Sequence, residues 1–162
     1  MATYTGKDGR VYARAPSGDL TAPTTPVQGT GTLIGQVRDF RLTINRELLD
    51  QTVFGDEWRQ SAAGLRNWDA TVTLVLDPTT TVNHDELLES LQPDDFSGTL
   101  ASSSQVQLDL YVDGETSGSN KKAYYGAAFI ESADIGVGVD GLVEATLRCR
   151  GNGALKATIV GA

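Results

Sequence analysis

GQVRDFRLTINRELLDQTVFGDEWRQSAAGLRNWDATVTLVLDP, running from Gly35 to Pro78, sets two alternating segments on either side of an irregular one. In the first segment, which ends at Asn45, Phe40, Leu42 and Ile44 fall on one face and Asp39, Arg41 and Thr43 on the other, the period of a half-buried strand. The second, Arg66 to Leu76, is the cleanest such pattern in the chain: Trp68, Ala70, Val72, Leu74 and Leu76 alternate with Asp69, Thr71, Thr73 and Val75. Asp77 and Pro78 end it. Between the two, Glu47 to Gly64 is acidic and follows neither period, which predicts a long inter-strand loop punctuated by Asp50, Thr52, Phe54, Gly55, Asp56 and Trp58.

Towards the N-terminus, Thr3 to Arg14 reads as a hairpin turning at Lys7-Asp8-Gly9, since Asp-Gly accepts the positive φ angles of a tight reversal. Residues 15–31 hold three prolines, three glycines and four threonines, a composition for extended backbone. They form either a surface loop or an arm that becomes ordered on another subunit. Towards the C-terminus, Thr79 to Gly98 contains one helix. Asn83 is its N-cap, Glu86 completes a capping box, Val82 and Leu87 form a staple, Leu87, Leu88 and Leu91 share a face, and Pro93 stops it. A helix of about nine residues is not stable alone, so it must dock on a sheet or a neighbour.

Further strands are predicted at Val106–Val112, Lys121–Ile130, Asp134–Val139, Leu142–Arg150 and Ala154–Val160, with a turn at Asp140-Gly141. The fold class is therefore mainly β, an antiparallel β-sandwich or barrel with one short flanking α-helix, an extended arm at 15–31 and a long loop at 47–64. At 162 residues the chain is expected to form a single domain, 1–162, with a core that needs no disulfide or metal.

The 13 basic against 21 acidic residues give a formal charge of −8, the wrong sign for gripping nucleic acid by its phosphates. Cys149, the one cysteine, lies in an alternating strand and is expected to be a small buried hydrophobe. Met1 to Tyr4 lack the basic and apolar regions of a signal peptide, and no run of 18 apolar residues could cross a bilayer, so a soluble chain folded in the cytosol is expected.

Residues that carry chemistry are sparse. Gly136-Val137-Gly138-Val139-Asp140-Gly141 spells the dinucleotide fingerprint, but a strand pattern follows it where a helix N-terminus would have to receive the pyrophosphate. It reads as a glycine-rich hairpin. The single histidine, His84, has no partners at zinc spacing, and no Gly-x-Ser-x-Gly elbow presents a nucleophile. Asp56-Glu57 and Asp94-Asp95 are paired acids of the kind that are ordinarily solvated loop charge, although paired carboxylates can run glycoside hydrolysis. Lys121-Lys122 is too small for a nucleic-acid footprint. No enzyme, cofactor or metal is predicted. Trp68, heading an alternating strand, is expected in the core; Trp58, in an acidic loop, needs a partner surface, which is either another protein or a sugar.

The order Asp50-x-Thr52-x-Phe54-Gly55-Asp56, then Trp58, then a strand opening on Trp68 and a later helix, resembles the phage tail tube family over roughly residues 33 to 92. The resemblance implies a structural subunit that joins its sheets edge to edge into rings, usually of six, stacked into a hollow tube for DNA delivery. It implies further a place in the virion tail after synthesis in the host cytoplasm, and tail tip, tape measure and terminator proteins as partners. DNA would pass through without specific binding, and this chain would bind no membrane. In such a ring Asp50, Thr52, Phe54, Gly55, Asp56 and Trp58 are the expected inter-subunit or inter-ring contacts. Asp39, Asp69, Thr71, Thr73 and Asp109 are the expected lumen positions. The alternatives are a tube subunit of a contractile or secretion-type injection machine, and a carbohydrate-binding β-sandwich module.

Overall fold

A computed structural model of the chain describes residues 9–14, 32–33, 37–76, 105–112, 121–139 and 143–160. The predicted helix and its cap, the arm at 15–31, His84, and the turns at Lys7-Asp8 and Asp140-Gly141 lie outside the described residues. The strands are β1 Arg10–Arg14, β2 Thr32–Leu33, β3 Val37–Asp50, β4 Ser61–Leu76, β5 Gln105–Tyr111, β6 Lys121–Gly136, β7 Val143–Gly151 and β8 Lys156–Val160. All are antiparallel to their neighbours and belong to one sheet, in the order β2-β1-β5-β6-β7-β4-β3, with β8 also paired to β6. The mainly β, antiparallel expectation holds. Of the sandwich or barrel expected, the described strands form one sheet that curls around its core as a half-barrel, bringing Val11 and Ala13 of β1 into one cluster with Val72 and Leu74 of β4.

The alternation of β4 builds that core. Trp68, Ala70, Val72 and Leu74 are all buried, and Leu147 and Cys149 of β7, Ile130 of β6, and Val106, Leu108 and Leu110 of β5 face the same interior. Each fully buried Leu or Val here contributes about 1.5–3 kcal/mol relative to exposure. Burial pushes the Cys149 thiol up to about 12, which suits the inert apolar role its position predicts.

β6 is the long axis of the sheet. Along one edge it pairs with β5; along the other it pairs first with β8, through Lys121↔Val160 to Tyr125↔Lys156, and then with β7, through Ala128↔Gly151 to Gly136↔Glu144. The chain thus leaves β7 and re-enters the same edge as β8. The segments predicted as two strands, Lys121–Ile130 and Asp134–Val139, are one strand through Gly136. A register shift between Ile130 and Ser132 returns Ser132 and Asp134 to the polar face and Ala133 to the core side.

Trp68 lies across β6 and β7 where they carry glycine. A Cβ on Gly151 would fall 2.2 Å from Trp68 Cε2, and one on Gly126 would fall 2.5 Å from Trp68 Cζ2. The indole N–H donates to the Gly153 carbonyl at 3.3 Å. Two missing side chains therefore make the slot for the largest core residue, in line with the core position its sequence context predicts.

Candidate assembly interface

The expected irregular loop at 47–64 is shorter than its composition suggests. β3 runs to Asp50 and β4 starts at Ser61, so only residues 51–60 are loop. The pairs from Asn45↔Asn67 to Asp50↔Ser61 have no third strand beside them, because β7 joins β4 only from Asp69 onward. This part of the hairpin is a two-stranded ribbon projecting from the sheet. Solvent on both of its faces removes the pressure for alternation, and that is why the sequence carries no period there.

The loop that closes the ribbon is held by its own side chains. Gln51 N donates to the Gln60 carbonyl at 2.9 Å. The Asp50 carboxylate accepts from Thr52 N at 2.9 Å and from the Thr52 hydroxyl at 2.6 Å, and that hydroxyl accepts from Gln60 N at 3.0 Å. Asp56 accepts from Val53 N at 3.0 Å and returns its own N–H to the Val53 carbonyl at 3.2 Å. Gly55 supplies the positive φ, +105°, that this turn requires. Arg59 Nε stands 3.4 Å from the Asp50 carboxylate. The six residues singled out in the sequence accordingly fall into two groups. Asp50, Thr52, Gly55 and Asp56 build the turn, and Phe54 and Trp58 stand out from it, 109% and 82% exposed.

Sequence periodicity missed further apolar surface on the ribbon. Leu48, Leu49 and Leu65 are exposed along the ribbon with Val53 at its tip, and Ile44, placed by its period with core residues Phe40 and Leu42, is 55% exposed where the ribbon leaves the sheet. A concentration of apolar side chains on one projection marks a contact surface. β3 also ends the strand order, so among the described residues its outer edge offers unpaired backbone groups, a second feature that invites another chain.

Hydrogen bonds from the Thr52 hydroxyl first, and from the Thr52 N–H second, hold the Asp50 carboxyl below its ordinary 3.8. A depressed carboxyl supports the turn fully above that ordinary value and ceases to do so only as pH falls through the lower folded value. The Thr52 amide resonance is therefore expected to keep its position from pH 7 down to about 4 and to move only below. A midpoint near pH 6 would assign the order of the turn to another group.

The expected lumen residues divide as well. Asp39, Asp69, Thr71 and Thr73 lie on one face of β3 and β4, in the rows Asp39↔Thr73, Arg41↔Thr71 and Thr43↔Asp69. Across β7 those rows continue to Thr146, Arg148 and Arg150. Asp109 shares that face by register but is 0% exposed, accepting from Gln107 Nε2 at 3.1 Å. Its place as a lumen residue is corrected: β5 is buried on both faces, so alternation on this strand does not mark solvent. Among the described residues no group of three or more His, Cys, Asp and Glu side chains is placed to share a metal ion.

No protein-family model matches the chain, and no curated protein matches it in sequence. Among solved structures, it is similar to a chain of the tail of an empty gene transfer agent particle of C6 symmetry, with a TM-score of 0.61 at 20% identity, covering 95% of this chain and 98% of that one. For the SPP1 tail tube the TM-score is 0.70 at 16% identity, over 99% of this chain and 81% of that one. A chain of the 6-fold symmetrised baseplate of the anti-feeding prophage gives 0.55 at 11%, covering 99% of both. At these identities the likeness is one of fold, and it extends along nearly the whole chain.

Proposed function

We propose that this chain is a structural, non-enzymatic subunit of a phage tail tube, closing into hexameric rings that stack into the channel for DNA delivery. The observation that carries the reading is a curled sheet of tail-tube architecture with an unpaired edge strand and a projecting ribbon that exposes Phe54 and Trp58. Edge pairing would satisfy the open backbone groups of β3, and contact with a neighbour would remove the ribbon's apolar side chains from water. In this reading residues 1–162 act as one tail-tube domain, 15–31 is an arm laid on a neighbouring subunit, and the helix predicted after Asn83 flanks the sheet or the subunit junction. The partners are further copies of the chain, then tail tip, tape measure and terminator proteins, in the tail of the virion after synthesis in the host cytoplasm. The chain has no role at a membrane. Electron microscopy of the purified protein, with and without tail-tip complexes, tests this: hollow stacked rings are expected, and persistent monomers in the presence of tip complexes would overturn it.

A second reading, a tube subunit of a contractile injection machine, is favoured by the likeness to the anti-feeding prophage baseplate chain. Tubes that nucleate polymerisation of a contractile sheath would select it.

The face carrying Asp39, Asp69, Thr71 and Thr73 is the proposed lumen wall. Six subunits at −8 put about −48 on each ring, which repels phosphate on average. Locally the wall is mixed: Asp69 is the register neighbour of Arg150, and Asp39 lies two residues from Arg41 on the same face. The acids thus serve to offset arginines that would otherwise catch DNA. Replacing Asp39 and Asp69 together with Asn is expected to slow DNA ejection about tenfold at low salt, with the difference shrinking as salt is raised. Unchanged ejection kinetics would remove these residues from the wall.

A further inference from the structure

A contact that builds rings or filaments from one chain joins a patch of one copy to a different patch of the next, so a projecting tip requires a receiving surface elsewhere on the molecule. At the root of the ribbon a cleft of about 720 Å³ opens between β4, β6 and the β7–β8 connection, walled by Ile44, Leu65, Trp68, Tyr124, Leu155 and Ala157. Among the described residues its charged lining is Arg66 and Lys156, with no acid. The tip has the opposite character, with Asp50, Asp56 and Glu57 against the single cation Arg59.

Resting on the tube reading, we infer that this cleft is the socket for the hairpin tip of another copy of the chain: Phe54 and Trp58 enter its apolar interior, and the acids of the tip face Arg66 and Lys156. The volume suits the occupant, since clefts of a few hundred to about 1,000 Å³ are the size that engulfs groups as large as two aromatic side chains. The occupant is not the chain's own tip. The paired ribbon from Leu48↔Ala63 to Asp50↔Ser61 holds that tip about 10 Å beyond the nearest cleft residue, Gly64, and folding back would break the ladder between β3 and β4. The apolar walls supply adhesion, and the opposed charges fix which way round the tip enters. Self-complementarity of this kind leaves every subunit with one tip given and one socket filled, and the contact repeats without limit unless the geometry closes it.

Disulfide trapping tests the assignment. Glu57→Cys on the tip and Ala154→Cys at the cleft are both at exposed positions, and Cys149 is buried with its thiol pushed up to about 12, so it does not compete. Under mild oxidation the double variant is expected to give a ladder of covalent multimers, at least about tenfold more abundant than in either single variant. Regular tubes without a ladder would overturn the socket and leave the tube intact. Neither tubes nor ladder from the unmodified and double-cysteine chains alike would overturn both. A charge exchange gives an independent reading: Lys156→Glu is expected to raise the concentration needed for assembly about tenfold, and adding Glu57→Lys to bring it back to within about threefold. Absence of that recovery would also overturn the pairing.

Discussion

Replacing Phe54 and Trp58 together with serine is expected to yield a folded, monodisperse monomer that no longer assembles. Both side chains project into solvent from a turn whose hydrogen bonds come from Asp50, Thr52 and Asp56, so their removal takes nothing from the core or from the turn. Exposed substitutions of this kind change stability by about 0.5 kcal/mol at most, and the thermal midpoint should stay within about 2 °C of the parent. Assembly is another matter. Aromatic anchors at the centre of a contact contribute about 2 kcal/mol or more each, so losing both raises the concentration needed for assembly by about three orders of magnitude. Sedimentation and electron microscopy over a concentration series would measure it. Tubes that form at the parent concentration would show that the ribbon hangs free and that ring contacts lie elsewhere, with the outer edge of β3 the first place to look.

The turn residues were legible before the structure, but their division of labour was not. Asp, Thr, Gly and Asp at these spacings signal a turn closed by its own side chains, whereas nothing in the letters separates the residues that hold it from the two it presents. Strands with one buried face were readable because burial imposes the period: Trp68 to Leu74 is the clearest case, and Ala145 to Cys149 the next. The same rule explains the failures. Arg46–Asp50 and Ser61–Asn67 are strand with neither face in the core, so their sequence was free to be acidic and irregular. Asp109 sits in a strand buried on both sides, so its alternation with Leu108 and Leu110 gave the face and misjudged the exposure. The single curled sheet, and the sharing of one edge of β6 by β7 and β8, depend on pairings between segments far apart in the chain, which no local pattern encodes.

Gly151→Ala is expected to be the most damaging single methyl group in the core. Its Cβ would stand 2.2 Å from Cε2, 2.3 Å from Nε1 and 2.4 Å from Cδ2 of Trp68, so the clash is with the body of the indole and not with a flexible end. The ring has little freedom to retreat. Its N–H is tied to the Gly153 carbonyl and its neighbours are the buried chains of β5, β6 and β7, so either the ring leaves the core or β7 and β4 part. Overpacking of a well-filled core ordinarily costs about 1–3 kcal/mol, and a direct collision with a rigid ring places this variant at or above about 3 kcal/mol. Gly136→Ala is the control: the nearest atom to its added methyl is 4.0 Å away, ordinary contact, and its urea midpoint should barely move. The cause can be isolated by shrinking the ring. Trp68→Leu is destabilising by itself through the cavity it leaves, yet in the Gly151→Ala background it relieves the collision, so the double variant should be more stable than the sum of the two single losses by about 1–3 kcal/mol. Simple additivity would mean that the two residues do not share the slot. The same double variant bears on assembly, because Trp68 is also a wall of the cleft at the ribbon's root. A chain that regains its fold without the indole and still forms no tubes would place Trp68 in the contact between copies as well as in the core.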